Sequence, residues 1–402
     1  MSQAARGLLV IITGRDRPGV TSRLFSELAQ FSLVVLDTEQ IVLRGRLILG
    51  VLVDLATIGA ADELALRDGL SRAARDLGLE IEMTVEPQPD DAPTAGPLHV
   101  TVLGNPLRPA AMAGVAGCIA RCGANIDRIE RLARYPVTCI ELEVSGADPD
   151  VLRTELNAQA ALEHVDVAVQ RSGLYRRAKR LVVMDVDSTL VQGEVIEMLA
   201  EHAGCADQVA AITQAAMRGE LDFEQSLRER VALLKGLPST VFATVRESLV
   251  LTPGARTLVR TLKRLGYLVA IVSGGFTQIT DGLVAELGLD FAAANTLEVV
   301  DGIVTGSLIG PIIDRPGKAS ALRRFALAAG VPLNQTIAIG DGANDLDMLG
   351  LAGLGVAFNA KPLVREAADT AVNVPYLDAI LYLLGISRDE IDAADAEEQA
   401  VG

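Results

Sequence analysis

Two aspartates, Asp185 and Asp187, stand at spacing i, i+2 where the apolar run Arg180-Leu-Val-Val-Met ends, and Thr189 follows two residues later. A buried parallel strand delivers carboxylates to its carboxyl end in this way. Acids clustered there repel one another and need a counter-ion. A divalent cation held by oxygen ligands, with magnesium the natural choice, would supply it. The plainer alternative is an acidic loop that caps the next helix through Asp187 or Ser188. The rest of the chain has to decide between them.

Two more apolar segments end in polar groups. Tyr267 to Val272 runs into Ser273-Gly274-Gly275, and Thr336 to Ile339 runs into Gly340-Asp341-Gly-Ala-Asn344-Asp345, with Lys318 opening a helix between them. Strands at Gly355 to Phe358 and Ala371 to Val374 and a hairpin around Asp301-Gly302 complete the pattern. Alternating strands and helices predict a doubly wound, Rossmann-like parallel sheet, and in such a sheet polar strand ends meet in one crevice. Between the first two strands, residues 193–253 lack strand signals and read as helical. Asp222 is expected to cap a helix from Phe223 to Lys235 that stops at Gly236. Phe223, Leu227, Arg230 and Leu234 share one face of it.

Asp185-x-Asp187-x-Thr189, Ser273-Gly274, Lys318 and Gly340-Asp341-Gly-Ala-Asn344-Asp345 together resemble the four motifs of the haloacid dehalogenase superfamily, in order and at appropriate separations. The resemblance covers residues 180 to 385, and Asp187 selects the phosphatase and mutase branch. It implies that Asp185 is the nucleophile forming an aspartyl-phosphate, that Asp187 is general acid and base, and that Lys318 neutralises charge on nucleophile and phosphoryl group. It also implies Mg2+ on a carboxylate oxygen of Asp185, the backbone carbonyl of Asp187 and Asp341, with Asp345 as outer support. Ser273 and the Gly274 amide would hold a phosphoryl oxygen.

Glu194, Met217, Phe223 and Arg230 stand in the order and separations of the phosphoserine phosphatases within that superfamily, and the helical insertion at about 195–255 matches their cap. The substrate implied is O-phospho-L-serine. Arg230 would grip its carboxylate and Glu194 its ammonium, Met217 and Phe223 would exclude water, and Asn344 joins the substrate-binding set. Two alternatives remain at this point. One is a phosphatase or phosphotransferase acting on another small ester; the other is a catalytically silent amino-acid sensor.

The first 172 residues read as two βαββαβ, ferredoxin-like units joined by the proline-rich linker 87–97. They resemble ACT domains, which bind amino acids. Gly14, Asp16 and Gly19 lie in the matching ligand loop of unit 1–86, whereas unit 98–172 lacks the Asp-Arg-Pro-Gly sequence. An amino-acid effector, with L-serine the candidate, and a homodimer are therefore expected. A net charge of -16 argues against nucleic acid and anionic membrane as partners. The amino terminus shows no signal peptide, so the expected location is the cytoplasm. Phosphatase residues 180–387 are followed by an acidic tail, 388–402, expected to fray.

Overall fold

A computed structural model describes residues 6–87, 97–173, 176, 178–217 and 220–401. The chain divides into two compact units, Met1–Pro93 and Thr94–Gly402. In the first, β1 (Arg6–Arg15), α1 (Val20–Leu28), β2 (Val35–Leu43), β3 (Arg46–Asp54), α2 (Ala60–Asp76) and β4 (Glu80–Pro87) build an antiparallel sheet of order β2-β3-β1-β4. Alternate residues Leu8, Val10 and Ile12 of β1 and Leu47, Leu49, Val51 and Val53 of β3 point to the helices and are buried with Leu24, Leu66 and Leu70. Gly59 takes the N-cap position of α2. Asp62 falls in the first turn, where its charge complements the helix dipole.

The second unit opens with β5 (Leu98–Gly104), α3 (Pro109–Arg121), β6 (Asn125–Ala133), β7 (Thr138–Ser145), α4 (Pro149–Glu163) and β8 (Asp166–Arg171), whose sheet order β6-β7-β5-β8 repeats the first. Here the sheet joins a larger core. Leu103, Leu132, Val137, Cys139 and Ala168 pack in one buried cluster with Leu377, Leu381, Tyr382 and Leu383 from the carboxyl-terminal region. Asp166 fastens this edge, accepting from the Asn373 backbone and side-chain nitrogens, both at 2.6 Å, and from the Val374 N–H at 3.2 Å.

The remaining strands are β9 (Leu181–Asp185), β10 (Leu268–Phe276), β11 (Phe291–Val300), β12 (Ile303–Ile309), β13 (Thr336–Gly340), β14 (Gly355–Phe358) and β15 (Thr370–Val372). Their order is β12-β11-β10-β9-β13-β14-β15, parallel except for β12, which the Asp301-Gly302 turn folds back antiparallel along the edge. Strand β11 is longer than the sequence implied. Its first half, Phe-Ala-Ala-Ala-Asn, lacks the β-branched character that marks a strand. Asp301 and Gly302 both have positive φ, the turn geometry that suits a two-residue hairpin.

Among the described residues, five α-helices, Val195–Ala203, Ala206–Met217, Phe223–Ala232, Val241–Ser248 and Ala255–Arg264, lie between β9 and β10. The third has the expected Asp222 cap, closed reciprocally by Gln225. The acidic tail is a correction to the sequence reading: Arg388–Val401 is helical. Asp395 pairs with Arg260 and Arg264, and Glu398 with Arg264, so a neighbouring basic helix supplies the counter-charges that the local sequence lacks. No described helix is long and apolar enough to cross a membrane.

Candidate active site

Strand β9 lies at the centre of the sheet with β10 and β13 as its neighbours, so the three polar strand ends are adjacent. Register places Val272 beside Asp185 and Ile339 beside Met184, which puts Ser273, Asp185 and Asp341 at one level of the carboxyl edge. The sheet reverses its winding direction around β9, the position where such sheets bind ligands.

After Asp185 the chain makes a wide helical turn, Val186–Leu190, with Ser188 left-handed at φ 58°. That turn swings Asp187 away from the strand axis. Asp187 Oδ1 accepts from the Val195 N–H at 2.8 Å, and Oδ2 accepts from the Ser273 hydroxyl at 3.1 Å. Gly275 is required here, because a Cβ would sit 2.9 Å from Ser273 Oγ and 3.2 Å from Asp187 Oδ2. Asp187 is therefore fixed by two elements, and burial raises its pKa and favours the protonated acid.

Lys318, only 1% exposed, is the fourth residue of the helix Arg315–Ala329, which Asp314 caps through the Gly317 N–H. Its Nζ lies 2.7 Å from Asp185 Oδ1 and 2.8 Å from Asp345 Oδ1. Burial opposes a charge on Lys318, but the two carboxylates outweigh it and hold the ammonium form above the ordinary lysine range. Asp345 uses its other oxygen on the Gly342 N–H at 3.0 Å. A Cβ on Gly340 would meet the Asp345 carboxyl carbon at 2.4 Å, so this approach needs glycine.

Asp341 Oδ1 accepts from the buried Thr189 hydroxyl at 3.2 Å, and burial together with the Asp345 charge pushes its carboxyl up to about 6. Burial and Asp345 likewise raise Asp185 well above the carboxylate range. Asp185, Asp341 and Asp345 offer oxygens that all lie within 4.8 Å of one another. Together with Asp187 and Glu194 they make five carboxylates against the two cations Lys318 and Arg230. An oxygen-only donor set with this excess of negative charge fits a hard divalent cation.

The helical insertion covers the site. Phe223 lies over the Ser273-Gly274 turn: a Cβ on Gly274 would meet its ring at 3.3 Å. Arg230 is half-buried on the same helix, and its charge acts on Asp187 and Glu194. Glu194 accepts from the Ser188 hydroxyl at 3.3 Å; its outer edge meets solvent, yet desolvation in the crevice and the charges of Asp187 and Asp341 push it up to about 7. Asn344 stands in the short turn Ala343–Asp345, half-buried, with its Oδ1 against Gly342. The side chain of Met217 lies outside the described residues. Ser273-Gly274 precedes the helix Thr277–Leu287 by three residues and belongs to a bulge in β10 rather than to the helix end itself.

Two buried residues in this region escaped the sequence reading. Thr252 donates to the Thr189 carbonyl at 2.7 Å, and Asn295 contacts the Ser273-Gly274 turn. The one signal for Asn295 was an amide directly after the apolar run Phe291-Ala-Ala-Ala.

Residues 182–350 match the haloacid dehalogenase-like hydrolase family, and residues 6–84 and 98–170 each match an ACT domain. The chain is 60% identical to phosphoserine phosphatase of Streptomyces coelicolor over 98% of its own length and 96% of the relative's. It belongs to the phosphoserine phosphatase family. The family relation extends to phosphoserine phosphatase SerB2 of Mycobacterium tuberculosis, 55% identical over 98% of this chain and 97% of that one. Among solved structures, the chain is similar to a probable phosphoserine phosphatase from Vibrio cholerae, with 36% identity, a TM-score of 0.58, and 74% of this chain and 88% of that chain covered. A haloacid dehalogenase family hydrolase from Salmonella enterica serovar Typhi superposes with a TM-score of 0.64 at 28% identity over 71% of this chain and 98% of that one.

In the first ACT domain Gly14 lies in β1, paired with Leu47, and Asp16 and Gly19 lie between β1 and α1, with the Asp16 N–H donating to the Gly45 carbonyl at 2.9 Å. Gly19 has φ 91° at the N-cap of α1, so this turn requires a glycine with or without a ligand.

Proposed function

We propose that the chain hydrolyses O-phospho-L-serine to L-serine and phosphate, the last step of L-serine biosynthesis, in the cytoplasm and with Mg2+ as its cofactor. The observation that carries this reading is the junction of β9, β10 and β13. There a buried lysine bridges Asp185 and Asp345, while Asp187 pairs with Ser273 beneath a helix bearing Arg230.

Asp185 attacks phosphorus, forming a bond from its carboxylate oxygen to phosphorus as the bond from phosphorus to the serine oxygen breaks. Asp187 gives its proton to that departing oxygen. It then removes one from the water that attacks the aspartyl-phosphate, which releases phosphate and restores both carboxyl groups. Lys318 balances the negative charge on Asp185 and on the transferring group, and the Ser273 hydroxyl and Gly274 amide hold a phosphoryl oxygen. Asp185, Asp341 and the Asp187 carbonyl would hold Mg2+, with Asp345 supporting from behind; when bound it supplies positive charge to the carboxylates and to the phosphate. Arg230 and Glu194 read the carboxylate and ammonium of the substrate, Asn344 adds a polar contact, and Phe223 with Met217 excludes water.

Phosphate release from O-phospho-L-serine and from a panel of other small phosphate esters, with MgCl2 and with EDTA, tests this directly. Release that prefers phosphoserine and disappears in EDTA is expected. Cleavage of other esters but not of phosphoserine would remove the substrate assignment and leave the phosphoryl chemistry standing. Arg230→Ala is expected to lower kcat/KM for phosphoserine by about 10²- to 10³-fold, the loss of a bidentate charged contact, while sparing a phosphate ester that has no carboxylate. Equal loss on both substrates would make Arg230 a structural residue.

The ACT domains add a proposed control. An amino acid, with L-serine the candidate, binds the Gly14–Gly19 loop of a homodimer. Asp16→Ala should then abolish inhibition by L-serine that is non-competitive with substrate while the uninhibited kcat stays the same. If that inhibition persists at full strength, the loop is not the effector site.

A further inference from the structure

Strands β10 and β11 run in register as far as Val272 and Ala293 and resume at Phe276 and Asn295. Three residues, Ser273, Gly274 and Gly275, therefore stand opposite the single residue Ala294. This two-residue excess lifts the Ser273-Gly274 turn out of the ladder toward the crevice, and it also removes the backbone partners that the ladder would have given the turn.

Ser273 Oγ accepts from the Gly275 N–H at 2.7 Å, and a side chain from outside the turn takes up the Gly274 carbonyl. Asn295, 2% exposed, donates from Nδ2 to the Gly274 carbonyl at 2.8 Å and accepts at Oδ1 from the Ile313 N–H at 2.8 Å. The orientation of the amide is unambiguous, since a carbonyl only accepts and a backbone N–H only donates. Ile313 immediately precedes Asp314, which caps the helix of Lys318 and whose carbonyl accepts from the Lys318 N–H at 2.8 Å. The chain of contacts thus runs from the Gly274 turn through Asn295 to the lysine helix.

We infer that Asn295 is a positioning residue that sets the separation between the phosphoryl-holding turn at Ser273-Gly274 and the start of the Lys318 helix. It lies on neither element and on no motif strand. Both elements have to close on the same phosphoryl group, so an error of about 1 Å between them would cost on the order of 10²-fold in rate. Within the turn only Ser273 has a side chain, and it ties the turn to Asp187 on the β9 side, whereas Asn295 supplies the tie to the Lys318 helix. The inference rests on the proposed phosphoryl roles of Gly274 and Lys318, and the two fail differently. Wild-type protein that releases no phosphate from phosphoserine overturns those roles before any variant is made.

The test uses the full chain with Asn295→Asp. This variant keeps the acceptor for the Ile313 N–H but sets a carboxylate oxygen against the Gly274 carbonyl. Four quantities are read: kcat, KM for phosphoserine, and the inhibition constants of inorganic phosphate and of L-serine. A fall in kcat of about tenfold or more is expected, with phosphate inhibition weakened by a similar factor. The component of L-serine inhibition that competes with phosphoserine should stay within about twofold, because Arg230 and Glu194 lie on other elements. If Asn295→Asp does not fold, Asn295→Ser, which is too short to span both partners, is read in the same way. A lowered thermal midpoint with kcat and phosphate inhibition unchanged would make Asn295 a packing residue only. Equal weakening of phosphate and L-serine inhibition would mean general loosening of the site. Either result overturns the inference.

Discussion

Asp185→Asn should abolish phosphate release, by about 10⁴-fold or more, without loss of the fold. The amide matches the carboxylate in shape and fills the same buried place at the end of β9. It lacks the charge and nucleophilicity that bond formation to phosphorus requires. The structural half of this expectation follows from the crowding around it. Burial and the neighbouring Asp345 charge disfavour the ionised Asp185, so a neutral side chain there relieves repulsion in the metal-free protein. The thermal midpoint in EDTA should stay the same or rise while turnover vanishes. Activity within tenfold of wild type would assign the nucleophile to another residue.

Lys318→Met is expected to damage both properties. Its ammonium group is buried between Asp185 and Asp345, and removing one member of a buried ion pair leaves uncompensated charge at a cost of about 3–5 kcal/mol. Turnover should fall by about 10³-fold or more, because neither the nucleophile nor the phosphoryl oxygens then meet this cation. Denaturant unfolding and single-turnover assays read the two effects separately; a variant with wild-type stability would show that the carboxylates share another counter-ion. The same crowding gives a pH signature. The carboxyl of Asp341 sits at about 6 when folded, above the roughly 3.9 of an unfolded aspartate, so its ionised form is the disfavoured one in the native state. Its destabilising contribution is absent below about pH 4, grows as pH rises toward 6 and is complete above it. Metal-free protein should therefore lose stability between about pH 4 and 6, and Asp341→Asn should flatten that slope in thermal scans.

The strands that lead into the motif aspartates were legible in the sequence because buried parallel strands are short, apolar and abruptly terminated; Leu181–Asp185 and Thr336–Gly340 announce themselves this way. The Asp222 cap could be read from its side-chain chemistry alone. What escaped depends on partners distant in sequence. The start of β11 has no β-branched residue and is paired with β10. The acidic carboxyl terminus looks like a solvated tail until Arg260 and Arg264 stand opposite it. Asn295 reads as a misfit in its strand because its two partners lie 21 residues before it and 18 after it. The stretch 193–253 reads as helical, and its division into separate helices depends on how each packs.

The apolar cluster that unites Leu103, Cys139 and Ala168 with Leu381 and Tyr382 bears on how this architecture can be taken apart. Family boundaries suggest three interchangeable cassettes, but in this chain the second ACT domain and the hydrolase share an interior. A graft or truncation cut near residue 172 would strip the hydrolase of part of its own core and confuse lost regulation with lost folding. The seam that recombination or a protein engineer could use lies earlier, ahead of Thr94, where an ACT domain with its own closed core begins and ends.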